Sequence, residues 1–496
     1  MKYLLMPGER KYYLWLLLAL ACCHYVSAQM PGNENQLSGK RLTDSAAASV
    51  NITLPGSGSE DKFRVRNIII VGNKRTRPDI ILREIPFKPG EPYLLPDLVK
   101  RFEDARRQLM NTSLFLHVVV ALKSFDGYDV DVLVDVRERW YIFPIPYFRP
   151  VDRNINQWII EQKGSLDRVN YGAKLLYNNA TGRNDKLRFW IMNGYTKQLS
   201  FSYDRLYIDK RMQWGLNMGF NIGKNREINY NTIDNKQVFF KDSRYVRNFS
   251  NGNVEVTYRP AIKTRHRFGI AYVSEELSDT VVKLNPGYFQ PSRTRVTVPE
   301  IYYTMSYYDL DYIPYPTKGY AAEVSLGKEG FNHILNMWQL TAKGSGNWHT
   351  GKKSFFTLNG YGVIKLPFKQ PYYNQRLLGY DDAFLQGYEY YVIDGTAATY
   401  LKAVYTRKLF NFSVNVPGGK KREAQRIPFT FYGKIYGNMG YVYNPEPGDN
   451  FLINKMLYST GIGIDLITYY DFTLKLEWSF NQLGQNGIFL HRKSIF

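Results

Sequence analysis

From Trp140 to Phe496, apolar and polar residues alternate with period two in strand-length pieces. This is the signature of strands that turn one face to an apolar medium and the other to water. Leu474, Leu476, Trp478 and Phe480 alternate with Lys475, Glu477 and Ser479, and Ile462, Ile464 and Leu466 alternate with Gly461, Gly463 and Asp465. Leu199, Phe201 and Tyr203, and then Leu216, Met218 and Phe220, repeat the pattern. About 16 segments qualify, and the intervals 223–247, 279–294 and 366–395 read as long loops. Residues 62–139 differ. An apolar strand, Val65 to Val71, precedes a Gly72-Asn73 turn, two helical stretches and two strands, His117 to Phe125 and Tyr128 to Arg137, joined by Asp126-Gly127. The second helix places Leu98, Phe102, Ala105 and Leu109 on one face. The predicted order is β-α-α-β-β.

Alternation alone also fits a soluble sandwich or propeller. Two further features favour a membrane barrel. Aromatic pairs such as Tyr302-Tyr303, Tyr307-Tyr308, Tyr390-Tyr391 and Tyr469-Tyr470 stand near predicted strand ends, as interfacial girdles do. Residues 1–28 read as a secretory signal, with Lys2, Arg10 and Lys11 before the apolar run Tyr12 to Cys23 and small residues at Val26-Ser27-Ala28. Cleavage there would remove both cysteines, Cys22 and Cys23. An exported chain with an apolar outer face has one stable solution in lipid, a closed β-barrel. Residues 29–61, with Ser45-Ala46-Ala47-Ala48-Ser49 and Gly56-Ser57-Gly58-Ser59, read as a flexible linker.

Composition sharpens this picture. The mean hydropathy of -0.38 excludes a helical membrane bundle, and 41 Tyr, 29 Phe and 8 Trp exclude a disordered chain. Of the net charge of +21, the excess sits in residues 141–496, which carry 45 Lys and Arg against 28 Asp and Glu. Basic inward faces and rims suit anionic lipid head groups, lipopolysaccharide phosphates or acidic polypeptides. A nucleic-acid partner would need those charges clustered with stacking aromatics on a soluble face, and no such module is visible. The six histidines show no metal-ligand spacing, and no Gly-x-Ser-x-Gly or P-loop sequence occurs. No catalytic residue, metal or cofactor is expected.

The β-α-α-β-β unit ahead of a barrel resembles a POTRA domain, and residues 62–496 resemble the BamA/TamA superfamily of outer-membrane assembly and translocation proteins. Phe384-Leu385-Gln386-Gly387-Tyr388 stands where that family places its Val-Arg-Gly-Phe/Tyr lumen-loop motif. Tyr436-Gly437-Asn438-Met439-Gly440-Tyr441-Val442-Tyr443 resembles its Phe-x-Asp-x-Gly-x-Val-Trp strand, and Asp309-Leu310-Asp311-Tyr312 with Pro316-Thr317-Lys318-Gly319 resembles the passage ahead of a hairpin. The resemblance implies a loop Arg meeting acidic groups on neighbouring strands. Here Gln386 replaces the Arg, Asn438 the strand Asp, and Val404 the Glu of the preceding strand. The expectation is a neutral Gln386–Asn438 hydrogen bond in place of the ionic one, the alternative being a loop held by backbone and aromatic contacts.

The expected architecture is a signal peptide (1–28), a linker (29–61), a periplasmic POTRA-like domain (62–139) and a transmembrane antiparallel barrel of about 16 strands (140–496). The resemblance implies an outer-membrane factor of a Gram-negative bacterium that inserts or exports polypeptides. Its partners would be unfolded outer-membrane or secreted chains, outer-membrane lipids including lipopolysaccharide, and accessory periplasmic or lipoprotein subunits. Candidate site residues are Leu385, Gln386, Gly387 and Tyr388 in the lumen loop, Asn438 and Gly440 on the anchoring strand, and Pro144, Pro146 and Phe496 at a weak seam between first and last strands. The prolines fit a domain junction equally well. A two-partner-type secretion pore and a passive porin are the alternatives.

Overall fold

The computed structural model describes residues 62–150, 165, 168–209, 211–289, 293–331, 335–380, 383–415 and 426–492. The signal peptide, linker and Phe496 expectations fall outside them.

The N-terminal domain contains β1 (Lys62–Val71), α1 (Pro78–Arg83), β2 (Pro92–Leu94), α2 (Leu95–Asn111), β3 (Phe115–Asp126) and β4 (Asp129–Glu138). The short strand β2 is an addition to the predicted order. Its three residues pair with the start of β1, a run too brief to show a period. The sheet order is β2-β1-β4-β3, with β1 and β4 parallel. Proline at the first turn of α2 starts the helix where its missing N–H costs nothing. Leu98, Phe102, Ala105 and Leu109 are buried as their spacing predicts. They pack with Phe63, Val65, Ile80, Ile81, Phe115, Val118 and the alternating Val130, Val132 and Val134 of β4.

The barrel is one antiparallel sheet of 16 strands: β5 (Ile142–Pro150), β6 (Val169–Asn178), β7 (Lys186–Gly194), β8 (Thr196–Tyr207), β9 (Trp214–Asn225), β12 (Arg247–Tyr258), β13 (Thr264–Leu277), β14 (Arg295–Leu310), β15 (Gly319–Glu329), β16 (Met337–Gly351), β17 (Ser354–Leu366), β20 (Ala397–Asn415), β21 (Arg426–Tyr443), β22 (Met456–Ile467), β23 (Thr473–Asn481) and β24 (Asn486–Arg492). The turns 179–185, 211–213, 259–263, 311–318 and 468–472 lie at the mouth beside the N-terminal domain, and the long loops lie at the far end. Two of those loops carry small hairpins, β10 (Glu227–Ile233) with β11 (Lys236–Lys241), and β18 (Arg376–Leu378) with β19 (Ile393–Asp394). A third carries the helix α3 (Asp279–Leu284).

Alternation sorts the two faces. Ile270, Ile301, Leu340, Ile462, Ile464, Leu476, Trp478, Ile488 and Leu490 are exposed on the outer wall. Glu255, Lys365, Lys402, Lys434, Asp465, Glu477 and Ser479 are buried inside. An exposed apolar belt of this extent would be an aggregation hazard in water and is what hydrocarbon requires. At the far end, the long loops pack on one another. Ile228, Val281, Tyr288, Phe289 and Tyr372 form one buried cluster. Asn235, Val392 and Asn450 are cross-linked by hydrogen bonds.

Ile464→Arg, which aims a charge at lipid, should cost about 2–4 kcal/mol if near the bilayer midplane. Gly437→Ser, where a new Cβ meets no atom within 4 Å, should cost far less. Urea titration of folding into lipid vesicles compares the two.

Candidate functional site

The loop 367–396 turns back into the barrel. Gly387 adopts φ +91°, a region open to glycine at little cost. A side chain there would meet Ser459 Cβ at 3.1 Å. This close approach lets Asn481 Nδ2 donate to Gly387 O (2.7 Å) and Tyr388 Oη to Tyr458 O (3.0 Å). Leu385 is buried against Gly440, where any Cβ would lie 2.7 Å from Leu385 Cδ1. The predicted loop residues thus do meet the wall, and Gly440 is where Leu385 seats.

The Gln386–Asn438 pair does not form. Asn438 Nδ2 donates to Ser459 Oγ (3.0 Å), and Gln386 Nε2 reaches Glu477 Oε1 on β23 at a long 3.5 Å. The expectation that all partners had become neutral together is also corrected, because the cation has moved from the loop to the wall. Lys434 on β21 lies 2.6 Å from Asp465 on β22 and also pairs with Glu477. His491 Nδ1 stands 2.6 Å from the other Glu477 oxygen, and Tyr315 donates to Asp465 (2.9 Å).

Gly463 makes this row feasible. It lies in register between Lys434 and Glu477, and a Cβ there would stand 2.9 Å from Lys434 Cε and 3.1 Å from Glu477 Cγ. Lys434 therefore crosses β22 over bare backbone to reach β23. The loop is held chiefly by bonds through backbone oxygens and by aromatic contact, including Phe384 against His491 and Lys402.

The mouth beside the N-terminal domain holds a second cluster that the sequence did not single out. Glu84, at the end of α1, accepts both guanidinium nitrogens of Arg259 in the β12–β13 turn (2.6 and 2.7 Å) and lies 3.1 Å from Arg83. Burial pushes the Glu84 carboxyl up, but Arg259 and Arg83 outweigh it and bring it down to about 2. Arg139 pairs with Asp471 at 2.6 Å. Asn111 donates to Leu310 O and accepts from Ile313 N. Arg75 donates to Asn179 O and Ala180 O. The domain is thereby pinned to four of the barrel's turns, with Arg83 and Met212 O adding a fifth.

The seam lies between β5 and β24, which end the sheet order and share no ladder among the described residues. Asn178 N–H donates to Tyr141 O, so odd-numbered residues of β5 turn their backbone groups to β6. Residues 142, 144, 146, 148 and 150 therefore turn theirs to the open edge. Pro144 and Pro146, and Pro150 at the end of β5, thus remove three donors from the open edge and none from the β5–β6 ladder. The junction reading is not needed to account for them.

A 16-stranded barrel with an apolar belt, a tucked loop and a small α+β domain at one mouth defines an outer-membrane β-barrel protein with a POTRA-type module. The comparisons agree. The POTRA "Surface antigen variable number repeat" matches residues 63–139, and the Omp85 superfamily domain matches residues 179–469. The chain belongs to the Omp85 superfamily. Among solved structures, CdiB from Escherichia coli is similar in fold, at 10% identity and a TM-score of 0.52, over 87% of this chain and 75% of that one. BamA from Haemophilus ducreyi lacking POTRA domains 1–3 aligns at 15% identity and a TM-score of 0.45, over 87% and 83% of the two chains. CdiB from Acinetobacter baumannii aligns at 12% and 0.47, over 86% and 71%. No curated protein matches the sequence significantly.

Lys434→Met should destabilise the barrel by about 3–5 kcal/mol, because it strands two buried carboxylates. Gln386→Ala, which loses one long hydrogen bond, should cost about 1 kcal/mol. Thermal unfolding in detergent measures both. Glu84 predicts an acid-sensitive mouth. Its carboxyl is depressed in the folded chain, so its contribution is complete above about 4.5 and is lost as pH falls towards about 2. Hydrogen exchange at residues 259–263 should rise over that window in the wild type, and Glu84→Gln should be more exchangeable at neutral pH and flat across it.

Proposed function

We propose that this protein inserts polypeptides into the outer membrane, using its N-terminal domain, placed in the periplasm, for capture and the β5–β24 seam for handover. The β5 edge, which pairs with no strand among the described residues, is the observation that carries this reading. A closed barrel would leave no template for another strand, whereas an edge that keeps β6 pairing and lacks three donors on its free side, at Pro144, Pro146 and Pro150, closes weakly. The free edge of β3, twelve residues long, offers a second template on which an extended client can add by β-augmentation. Strand pairing and apolar burial drive the transfer, with no covalent step. Unfolded outer-membrane polypeptides are the clients, surrounding lipid and lipopolysaccharide contact the belt and its rims, and accessory subunits dock on the domain.

Export of a dedicated substrate through the lumen is the second reading. It is favoured by a water-accessible cavity of about 960 Å³ between Arg267, Glu300, Tyr308, Glu323, Lys343 and Tyr400.

Depletion followed by outer-membrane and secretome proteomics tests the two. Insertion predicts broad loss of barrel proteins, export predicts loss of one secreted protein, and an intact proteome overturns both. Complementation with Pro144→Ala/Pro146→Ala, which restores two seam donors, should rescue client levels only partially.

A further inference from the structure

The mouth cluster carries more positive charge than its two carboxylates, Glu84 and Asp204, balance, and Asp204 is itself paired with Arg188 at 2.8 Å. Arg259, Arg83 and Arg265 act on Glu84, and Arg205 extends the group by acting on Arg265, with Arg259 acting on both. Lys186 lies within the same field. Arg83 and Arg259 are satisfied by Glu84. Lys186, Arg205 and Arg265 make no ion pair with a carboxylate among the described residues.

Arg205 is also built into place. It sits at a bulge of β8, where the register against β9 shifts between Tyr203 and Leu206. Its φ of +64° is a conformation that a non-glycine residue adopts at a cost. Asn217 accepts its backbone N–H (2.7 Å), and Asn184 accepts from its guanidinium (3.1 Å). Bulges of this kind re-aim a side chain, and here the re-aimed chain is a cation brought towards other cations. Arg265 shares a strand face with Arg267, which lines the lumen cavity, so the cluster faces the lumen and not lipid.

Glu84 shows what such a cluster takes. Its two oxygens receive the forked guanidinium of Arg259, the geometry that selects planar carboxylates. We infer that the arginine cluster is a receptor for carboxylates of an incoming acidic polypeptide segment, occupied in the docked state by the domain's own Glu84. A client segment rich in Asp or Glu binds first at Arg205 and Arg265, then competes with Glu84 for Arg259 and loosens the domain from the mouth. This deepens the proposed function and rests on it for the identity of the ligand.

Binding of a fluorescein-labelled deca-glutamate peptide to the detergent-solubilised full chain, read by anisotropy at low salt, tests the inference. Arg205→Gln/Arg265→Gln should weaken binding by about tenfold or more, and Glu84→Gln, which removes the internal competitor, should tighten it several-fold. Arg205→Lys/Arg265→Lys keeps the charge and should fall between. It also guards against misfolding of the Gln pair, as does an unchanged heat-induced mobility shift on gels. Unchanged affinity in the Gln pair, no tightening in Glu84→Gln, or displacement of the peptide by inorganic phosphate at equal charge overturns it. Peptide binding with an intact proteome after depletion would sink the proposed function and leave the site. Altered client levels without peptide binding would do the reverse.

Discussion

In hydrocarbon, a backbone N–H or C=O without a partner costs several kcal/mol, and this single constraint organises the molecule. It forces 16 strands into one sheet, it sets the period-two alternation, and it gives weight to the place where, among the described residues, pairing stops. Pro144 and Pro146 stand at that place with their missing donors turned to the open edge. A proline in the β5–β6 ladder would have broken the wall itself. On the free side it weakens closure while the wall stays whole.

The lumen is governed by the opposite problem, charge burial. Lys434, Asp465 and Glu477 come from three successive strands and pair across the bare backbone of Gly463, and His491 of the fourth contacts the second Glu477 oxygen. Pairing of this quality offsets a desolvation cost that no single member could bear. Because the cation belongs to the wall, the carboxylates stay paired whatever the loop does. The loop 367–396 is held by hydrogen bonds to Gly387 and Tyr388 and by the seat that Gly440 leaves for Leu385. None of these leaves a buried charge behind if the loop moves.

The elements whose pattern is local were legible in the sequence. The face of α2, the alternation of β22 and β23, and the three long loops follow from spacing alone. Asn438 was misassigned because a motif places a residue on a strand but not which neighbour its side chain meets. A shift of partner from Gln386 to Ser459 changes no residue in the pattern. Lys434 escaped notice for a related reason. Its alternating neighbours Tyr436 and Asn438 read as an ordinary polar face, and its reach to Glu477, two strands away, depends on the glycine of the strand between. Lys475 and Glu477 as inward charges were the available hint. Glu84 and Arg259 are separated by 175 residues, and no periodicity links a helix end to a barrel turn.

The two clusters differ in a way that bears on how the molecule works. Inside the lumen, Asp465 and Glu477 are both paired with Lys434. At the mouth the charges are not matched, since Glu84 pairs with Arg83 and Arg259 and Asp204 with Arg188, while Arg205, Arg265 and Lys186 make no ion pair among the described residues. Matched buried charge stabilises one arrangement, whereas unmatched charge with access to water raises the free energy of the docked state until an anion arrives. The docked domain is therefore held by Arg139–Asp471, Asn111 and Arg75 against a local excess of positive charge. A ligand that supplies carboxylates lowers the energy of the mouth and removes the need for Glu84 in the same step. On the inferred role of this cluster, capture of an acidic segment and release of the domain are one equilibrium, set by how many carboxylates the segment brings.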